Sequence, residues 1–304
     1  MIRPDSGSAR IGIDLGGTKI EMVAVNDSGD VIEKVRVPTP QGDYQGTIEA
    51  IAKLIQDFEK ASNVRASVGI GMPGALSRVT GRVKNANSVC LNGMPFKEDI
   101  ENALERSVRI ENDANCFVLS EATDGAAAGA SIVFGVILGT GVGGGVVING
   151  KLVSGPNAIT GEWGHNPLPW PDEQELVSAR TCYCGKRGCI ETWLCGEGFR
   201  LSYEVLTGLS EPPPKIADRA SKGHEAARKA LDSYCLRLAK SLATVINLLD
   251  PDVIVLGGGL SNIDCLYSTV PELWRDFVFS DHVYTKLVRA QYGDASGVRG
   301  AVWL

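Results

Sequence analysis

The chain has 304 residues, 44% of them hydrophobic, which is enough to bury a large core and to divide into two domains or two lobes. A formal net charge of −6 gives no basic footprint for nucleic acid or an anionic membrane, because such binding needs clustered Lys and Arg to release counterions. The opening MIRPDSGSAR lacks an apolar stretch of signal-peptide length and no later run is long enough to span a bilayer, so a cytoplasmic protein with reduced thiols is expected. Its eight cysteines are therefore read first as core residues or metal ligands rather than as disulfides.

In chain order, RIGIDLGGTKIEMVAV (10–25) alternates Ile11, Ile13 and Leu15, turns at Gly16 and Gly17, and alternates again at Ile20, Met22 and Ala24: strand, glycine turn, strand. Ile48, Ile51, Ile55 and Phe58 fall at helical spacing, and ASVGIGMPG and VRIEND read as strands. A helix is expected from about 115 to 130. SIVFGVILGTGVGGGVVING (131–150) repeats the plan of the first hairpin around Thr140, which suggests an internal duplication. Residues 154–192, rich in Gly, Pro, Trp and Cys, read as an irregular insertion. A long amphipathic helix over 226–250 stops at Asp250-Pro251, since proline disfavours helix in the residue before it. DVIVL then runs into Gly257, Gly258 and Gly259 and a further helix. Strands and helices alternate, so the class is α/β.

Glycine turns bring backbone N–H groups up to phosphate oxygens without an intervening Cβ, and three such turns point to a polyphosphate. In the first, Gly16, Gly17, Thr18 and Lys19 face phosphates, while Asp14 holds Mg²⁺ directly or through water. It is not a Walker motif, because a strand follows it instead of a helix. The second, Gly139, Thr140, Gly141, formally matches G-x-G-x-x-G through Gly144, but a dinucleotide site requires a helix to start there and GGVVING is strand-like. The third, Gly257 to Gly259, ends a strand and meets the base and ribose of a nucleotide. Taken together they point to ATP.

Asp113, in ENDAN, ends a strand and opens a helix. Two roles suit that place: a helix N-cap, or a carboxylate that takes the proton of an attacking hydroxyl. Cys182, Cys184 and Cys189 lie within eight residues, with Gly185 and Gly188 supplying turns, and His165 can complete a Cys₃His tetrahedron. The C-x-C-x₄-C spacing leaves disulfide and bare-thiol readings open. Cys90, Cys116, Cys195, Cys235 and Cys265 are expected as small core residues. His224 and His282 read as surface histidines, and Trp163 and Trp170 as packing around the cysteine-rich loop or stacking platforms.

With DLGGTK, LGTGVGGG and LGGG in this order, and GEWGH and CYCGKRGC between the last two, the chain resembles the bacterial ROK family of sugar kinases over nearly its whole length. NANSVCLNGMPF (85–96) and GHNPLPW (164–170) make it look most like the fructokinases that also accept mannose. The resemblance implies an actin-like ATPase (ribonuclease-H-like) fold with two lobes around a central cleft. The N-terminal lobe is expected over 1–114, with 288–304 returning to it, and the C-terminal lobe over 115–287 with a zinc loop at 161–191. It also implies a homodimer, no nucleic-acid partner because too little chain precedes the first strand for a helix-turn-helix, and no membrane. It makes Asp113 the catalytic base and the cysteine–histidine set a structural Zn²⁺ site, and it puts Gly74, Asn87, Asn112, Glu162, His165 and Glu191 around the sugar. The expected reaction is ATP-dependent phosphorylation of a free hexose at the 6-hydroxyl, most simply fructose to fructose 6-phosphate. Glucose or N-acetylhexosamine kinases, or a non-catalytic sugar sensor, are the competing readings.

Overall fold

The computed structural model describes residues 9–86 and 88–304, and the chain forms two compact units. The first runs to Thr123 and also takes Leu152–Thr160 and Ala295–Leu304; the second holds Asp124–Lys151 and Gly161–Asp294. Among the described residues no helix is long and apolar enough to cross a membrane.

The first unit contains β1 (Arg10–Leu15), β2 (Lys19–Val25), β3 (Val31–Pro38), helix α1 (Tyr44–Ser62), β4 (Ser67–Met72), a short hairpin of β5 (Ala75–Leu76) and β6 (Val83–Lys84), α2 (Phe96–Leu104), β7 (Arg109–Asn112) and α3 (Asp113–Thr123). Its main sheet has the order β3-β2-β1-β4-β7, antiparallel at the β2 hairpins and parallel from β1 through β4 to β7. Ile11, Ile13 and Leu15 meet Ile48, Ile51, Ile55 and Phe58 of α1 in one core. Each such side chain contributes roughly 1.5–3 kcal/mol on burial, more than helix propensity supplies over a turn, so packing holds α1. Asp43 caps the N-terminus of α1, its Oδ1 accepting from Gly46 N at 2.9 Å.

The second unit contains β8 (Ile132–Leu138), β9 (Val142–Ile148), β10 (Lys151–Leu152, at its edge), α4 (Glu173–Val177), α5 (Glu191–Leu194), α6 (Gly196–Thr207), α7 (Pro213–Ser221), α8 (Glu225–Leu249), β11 (Val253–Gly257), α9 (Leu266–Leu273) and β12 (Lys286–Arg289). The chain then enters α10 (Ser296–Val302) of the first unit. The second sheet has the order β10-β9-β8-β11-β12, with β8 antiparallel to β9 and parallel to β11, and β11 parallel to β12. Its connection pattern repeats that of the first sheet, as the paired glycine hairpins implied.

Helix α10 lies on β1 and β4, where a side chain could not fit: a Cβ on Gly12 would stand 2.2 Å from Val298 O. Three boundaries differ from the sequence expectation. Helix α3 ends at Thr123 and not near 130, because the chain breaks into turns at Gly125 and at Gly129, whose φ is +84°. Instead of one helix, a 3₁₀ turn (Gly259–Asn262) precedes α9. The units divide at 123/124 and at 294/295 rather than at 114/115 and 287/288, since α3 packs against β4, β7 and α10 while β12 pairs with β11.

Candidate active site

In the first unit the parallel strands bring two carboxylates to the same end of the sheet. Asp14 lies near the end of β1, one residue before its last, and Asp113 directly follows β7, two strands away. Burial pushes the Asp14 carboxyl up to about 6, with the negative charges of Asp113 and Glu21 adding to the effect and Lys19 opposing it.

Asn112 occupies the N-cap position of α3. Its Oδ1 accepts from Ala114 N at 2.9 Å and its Nδ2 donates to Gly74 O at 2.9 Å. The capping role is thus filled by Asn112, with Asp113 exposed on the first turn and its Oδ1 2.8 Å from the same N–H. Gly74 has φ +76°, and a Cβ there would meet Lys84 O at 2.4 Å, so only glycine lets this turn receive the Asn112 amide. Asn87 lies outside the described residues. Its neighbour Ala86 is fixed by Asn92, which accepts from Ala86 N at 2.9 Å and donates to Ala86 O at 2.8 Å, a clamp the sequence reading missed.

The first glycine turn is closed by Gly16 N donating to Lys19 O at 2.9 Å and by Thr39 Oγ1 donating to Gly16 O at 2.7 Å. Gly17 and Thr18 are exposed at its tip. The Lys19 ammonium stands 4.0 Å from Glu21, which Lys34 and Arg36 also pair with. Burial would raise the Glu21 carboxyl, but these partners hold it below its ordinary range.

In the second unit Gly139, Thr140 and Gly259 line one cavity of about 1240 Å³, which joins the second and third glycine turns. Gly258 has φ +80° and packs against Leu138 O, so the two turns lie side by side. The cavity walls mix Pro212, Pro213, Leu260 and Ile263 with Arg200, Asp218 and Asn262, an apolar slot with polar edges of the kind that takes a planar base and a ribose.

His165, Cys182, Cys184 and Cys189 converge, their ligand atoms all within 4.8 Å of one another. His165 Nδ1 is 3.6 Å from Cys182 Sγ, and Cys184 Sγ is 3.6 Å from Cys189 Sγ. Zn–S bonds of about 2.3 Å and Zn–N bonds of about 2.0–2.1 Å give tetrahedral edges of about 3.6–3.8 Å, so the four residues fit a zinc ion. The loop is shaped by backbone bonds: Cys182 N to Lys186 O at 2.8 Å, Gly185 N to Cys182 O at 3.0 Å and Leu168 N to Gly188 O at 2.9 Å. His165 Nε2 lies 3.0 Å from Tyr183 Oη and 3.9 Å from Glu162, so the second ring nitrogen is oriented by a tyrosine not singled out in the sequence. Glu162 is exposed. Glu191 is buried, its Oε2 accepting from Val142 N at 3.0 Å.

The remaining candidates resolve as packing. Trp163 is buried, edge-on to Phe134, and donates to Gly143 O. Trp170 is half exposed against Phe277. His282 is exposed, and His224 is exposed while capping α8 through Nδ1. Cys116, Cys195 and Cys235 are buried, but Cys90 and Cys265 are only partly so, and Cys235 and Cys265 both line the large cavity. An element with no sequence signal is the Arg180–Trp193–Arg237 stack, guanidinium carbons 4.6 and 4.5 Å from the ring, anchored by Arg237 to buried Glu175 at 2.6 Å.

The ROK family description matches residues 10–304. An N-acetyl-D-glucosamine kinase of Vibrio cholerae is 40% identical over 296 residues, covering 96% of this chain and 98% of that protein. Among solved structures, a ROK hexokinase from Thermus thermophilus superposes with a TM-score of 0.85 at 30% identity, covering 97% of this chain and 96% of that one. A ROK glucokinase from Streptomyces griseus, solved with glucose and AMPPNP, gives 0.77 at 26% identity, covering 97% of this chain and 98% of that one. The fructokinase likeness expected from 85–96 and 164–170 is not what these relatives carry in their names. With an α/β actin-like ATPase fold and a match running from the first strand to the last residue, the chain belongs to the ROK family.

Proposed function

We propose that the protein is an ATP-dependent hexose kinase acting at the 6-hydroxyl, with N-acetyl-D-glucosamine as the acceptor. The observation that carries the kinase reading is the Asp14–Asp113 pair at the same end of the parallel strands β1 and β7, close enough for the charge on Asp113 to help lift Asp14 to about 6. The acceptor follows from the name of the relative at 40% identity.

Asp113 takes the proton of the sugar 6-hydroxyl as that oxygen bonds to the γ-phosphorus, and ADP departs with the electron pair of the broken P–O bond. Asp14 would hold Mg²⁺, which would neutralise charge on the phosphate oxygens when bound. Gly16 to Lys19 and Gly139 to Gly141 hold the phosphates, and Gly257 to Gly259 the nucleoside. The ROK likeness assigns sugar contacts to Asn112, Gly74, Asn87, Glu162, His165 and Glu191. His165, Cys182, Cys184 and Cys189 would hold zinc as a closed four-ligand shell, which shapes the loop and leaves no position for a reacting water.

Fructose, with mannose, is the second reading, favoured by the segments NANSVCLNGMPF and GHNPLPW. ADP release measured with N-acetylglucosamine, fructose, mannose and glucose decides between them: the true acceptor has the highest kcat/KM. Turnover with none of the four would remove the kinase reading and leave a sugar-binding sensor.

A further inference from the structure

The second glycine turn is gripped from one side by the segment that follows the cysteine cluster. Gly196 N donates to Gly139 O at 2.8 Å, and Glu191 Oε2 accepts from Val142 N at 3.0 Å, so both ends of the 139–142 turn are bonded to residues 191–196. The Glu191 carboxylate is 9% exposed, and a Cβ on Gly141 would stand 2.9 Å from Oε2, so the carboxylate lies flush against the turn. Its other oxygen, Oε1, is 3.9 Å from Cys182 Sγ. The same segment is tied back to the cluster: Thr192 N donates to Cys189 O at 2.9 Å and Ile190 N to Asn166 O at 2.9 Å, next to His165. A continuous set of hydrogen bonds from backbone N–H groups, with one longer sulfur contact at 3.9 Å, therefore runs from the cluster through residues 190–192 to the turn.

We propose that Glu191 is a positioning residue for the nucleotide, holding the 139–142 turn in its phosphate-binding shape and passing the rigidity of the Cys/His cluster to it. This goes beyond a sugar-contacting role for Glu191, and it rests on the reading of the 139–141 turn as a phosphate loop. A buried carboxylate that accepts from a backbone N–H fixes that peptide's orientation, and orientation of backbone donors is what such a loop offers a phosphate. The amide of glutamine keeps an oxygen that can accept from Val142 N; alanine keeps nothing.

The test is Mg-ATP affinity without sugar, by calorimetry, on the full chain with its metal content measured. Glu191→Ala is expected to weaken binding about tenfold and to speed backbone hydrogen exchange at Val142, while Glu191→Gln stays within about twofold of wild type. Gly141→Ala carries the same test with Glu191 intact, since the added methyl displaces Oε2, and it too is expected to weaken nucleotide binding with the metal retained. Chelator-stripped wild type should show the same weakening. Unchanged nucleotide affinity in both Glu191→Ala and Gly141→Ala overturns the proposal, as does equal weakening in Glu191→Gln and Glu191→Ala. If wild type itself fails to bind Mg-ATP, the kinase reading falls first, and that control identifies it.

Discussion

The two glycine hairpins have the same strand pairing yet different surroundings. The turn after β1 lies next to a charged strand end, with Asp14 pushed up to about 6 by burial and by the nearby charge of Asp113, and its tip residues Gly17 and Thr18 stand in water. The turn after β8 is gripped by the buried Glu191 carboxylate and the Gly196 backbone beside a cavity of about 1240 Å³. The two sheets share one order, and they differ in what stands behind the turn: a pair of carboxylates at the strand ends in one, a single carboxylate bonded to the turn's own backbone in the other. The first is suited to metal and proton chemistry, and the second to holding a ligand still.

The largest effect that would sharpen this contrast is on turnover. Asp113→Asn should lower kcat by ~10²–10⁴, about 3–5 kcal/mol of barrier, with nucleotide affinity nearly unchanged, because the second unit's turn and cavity are untouched. Steady-state kinetics with ADP detection checks it, and near-normal turnover would break the division of labour. Next in size, Cys182→Ser should cost the protein its bound zinc, measured by elemental analysis, and lower Tm by roughly 10 °C, since a metal that organises a loop contributes its binding energy to folding. A smaller loss is expected from Gly74→Ala. The forced φ of +76° and the close approach to Lys84 O should cost about 1–3 kcal/mol in denaturant unfolding and raise the sugar KM, while the ATP KM stays within about twofold.

Much of this was legible in the residues. The alternation at Ile11, Ile13 and Leu15 is a period-2 signal broken by a glycine pair, and the second hairpin repeats it, so the pairing of two similar hairpins followed from local pattern, while the order of the remaining strands did not. The cysteine spacing located the cluster. What could not be read were facts of tertiary placement. Asn112 and Asp113 are adjacent in sequence and equally plausible caps, and only the fold shows that Asn112 bonds Ala114 N and Gly74 O while Asp113 occupies the next turn position. Glu191 carries no local mark of its bond to Val142, because that partner is 49 residues away. Tyr183 lies between two cysteines in the sequence, and nothing in that spacing shows that its hydroxyl sits 3.0 Å from His165. The acceptor sugar is still less visible, since epimers differ by one hydroxyl and the segments at 85–96 and 164–170 point to a different hexose from the one the relatives are named for.

The smallest effect lies in the charged turn itself. Because the folded Asp14 carboxyl titrates at about 6 against an unfolded value near 3.8, the native state binds the extra proton between those pH values, and its stability falls as pH rises from about 4 to about 6. In protein free of Mg²⁺ and nucleotide, Asp14→Asn should therefore be more stable than wild type by about 3 kcal/mol at pH 7.5, with the difference nearly gone near pH 3.5 where the folded carboxyl is protonated. The same substitution should weaken Mg-ATP binding, since the amide cannot hold the metal. Urea unfolding at the two pH values measures the first effect. A wild type as stable as the variant at pH 7.5 would mean that Asp14 is not charged at a cost, and that the two hairpins differ less than their surroundings imply.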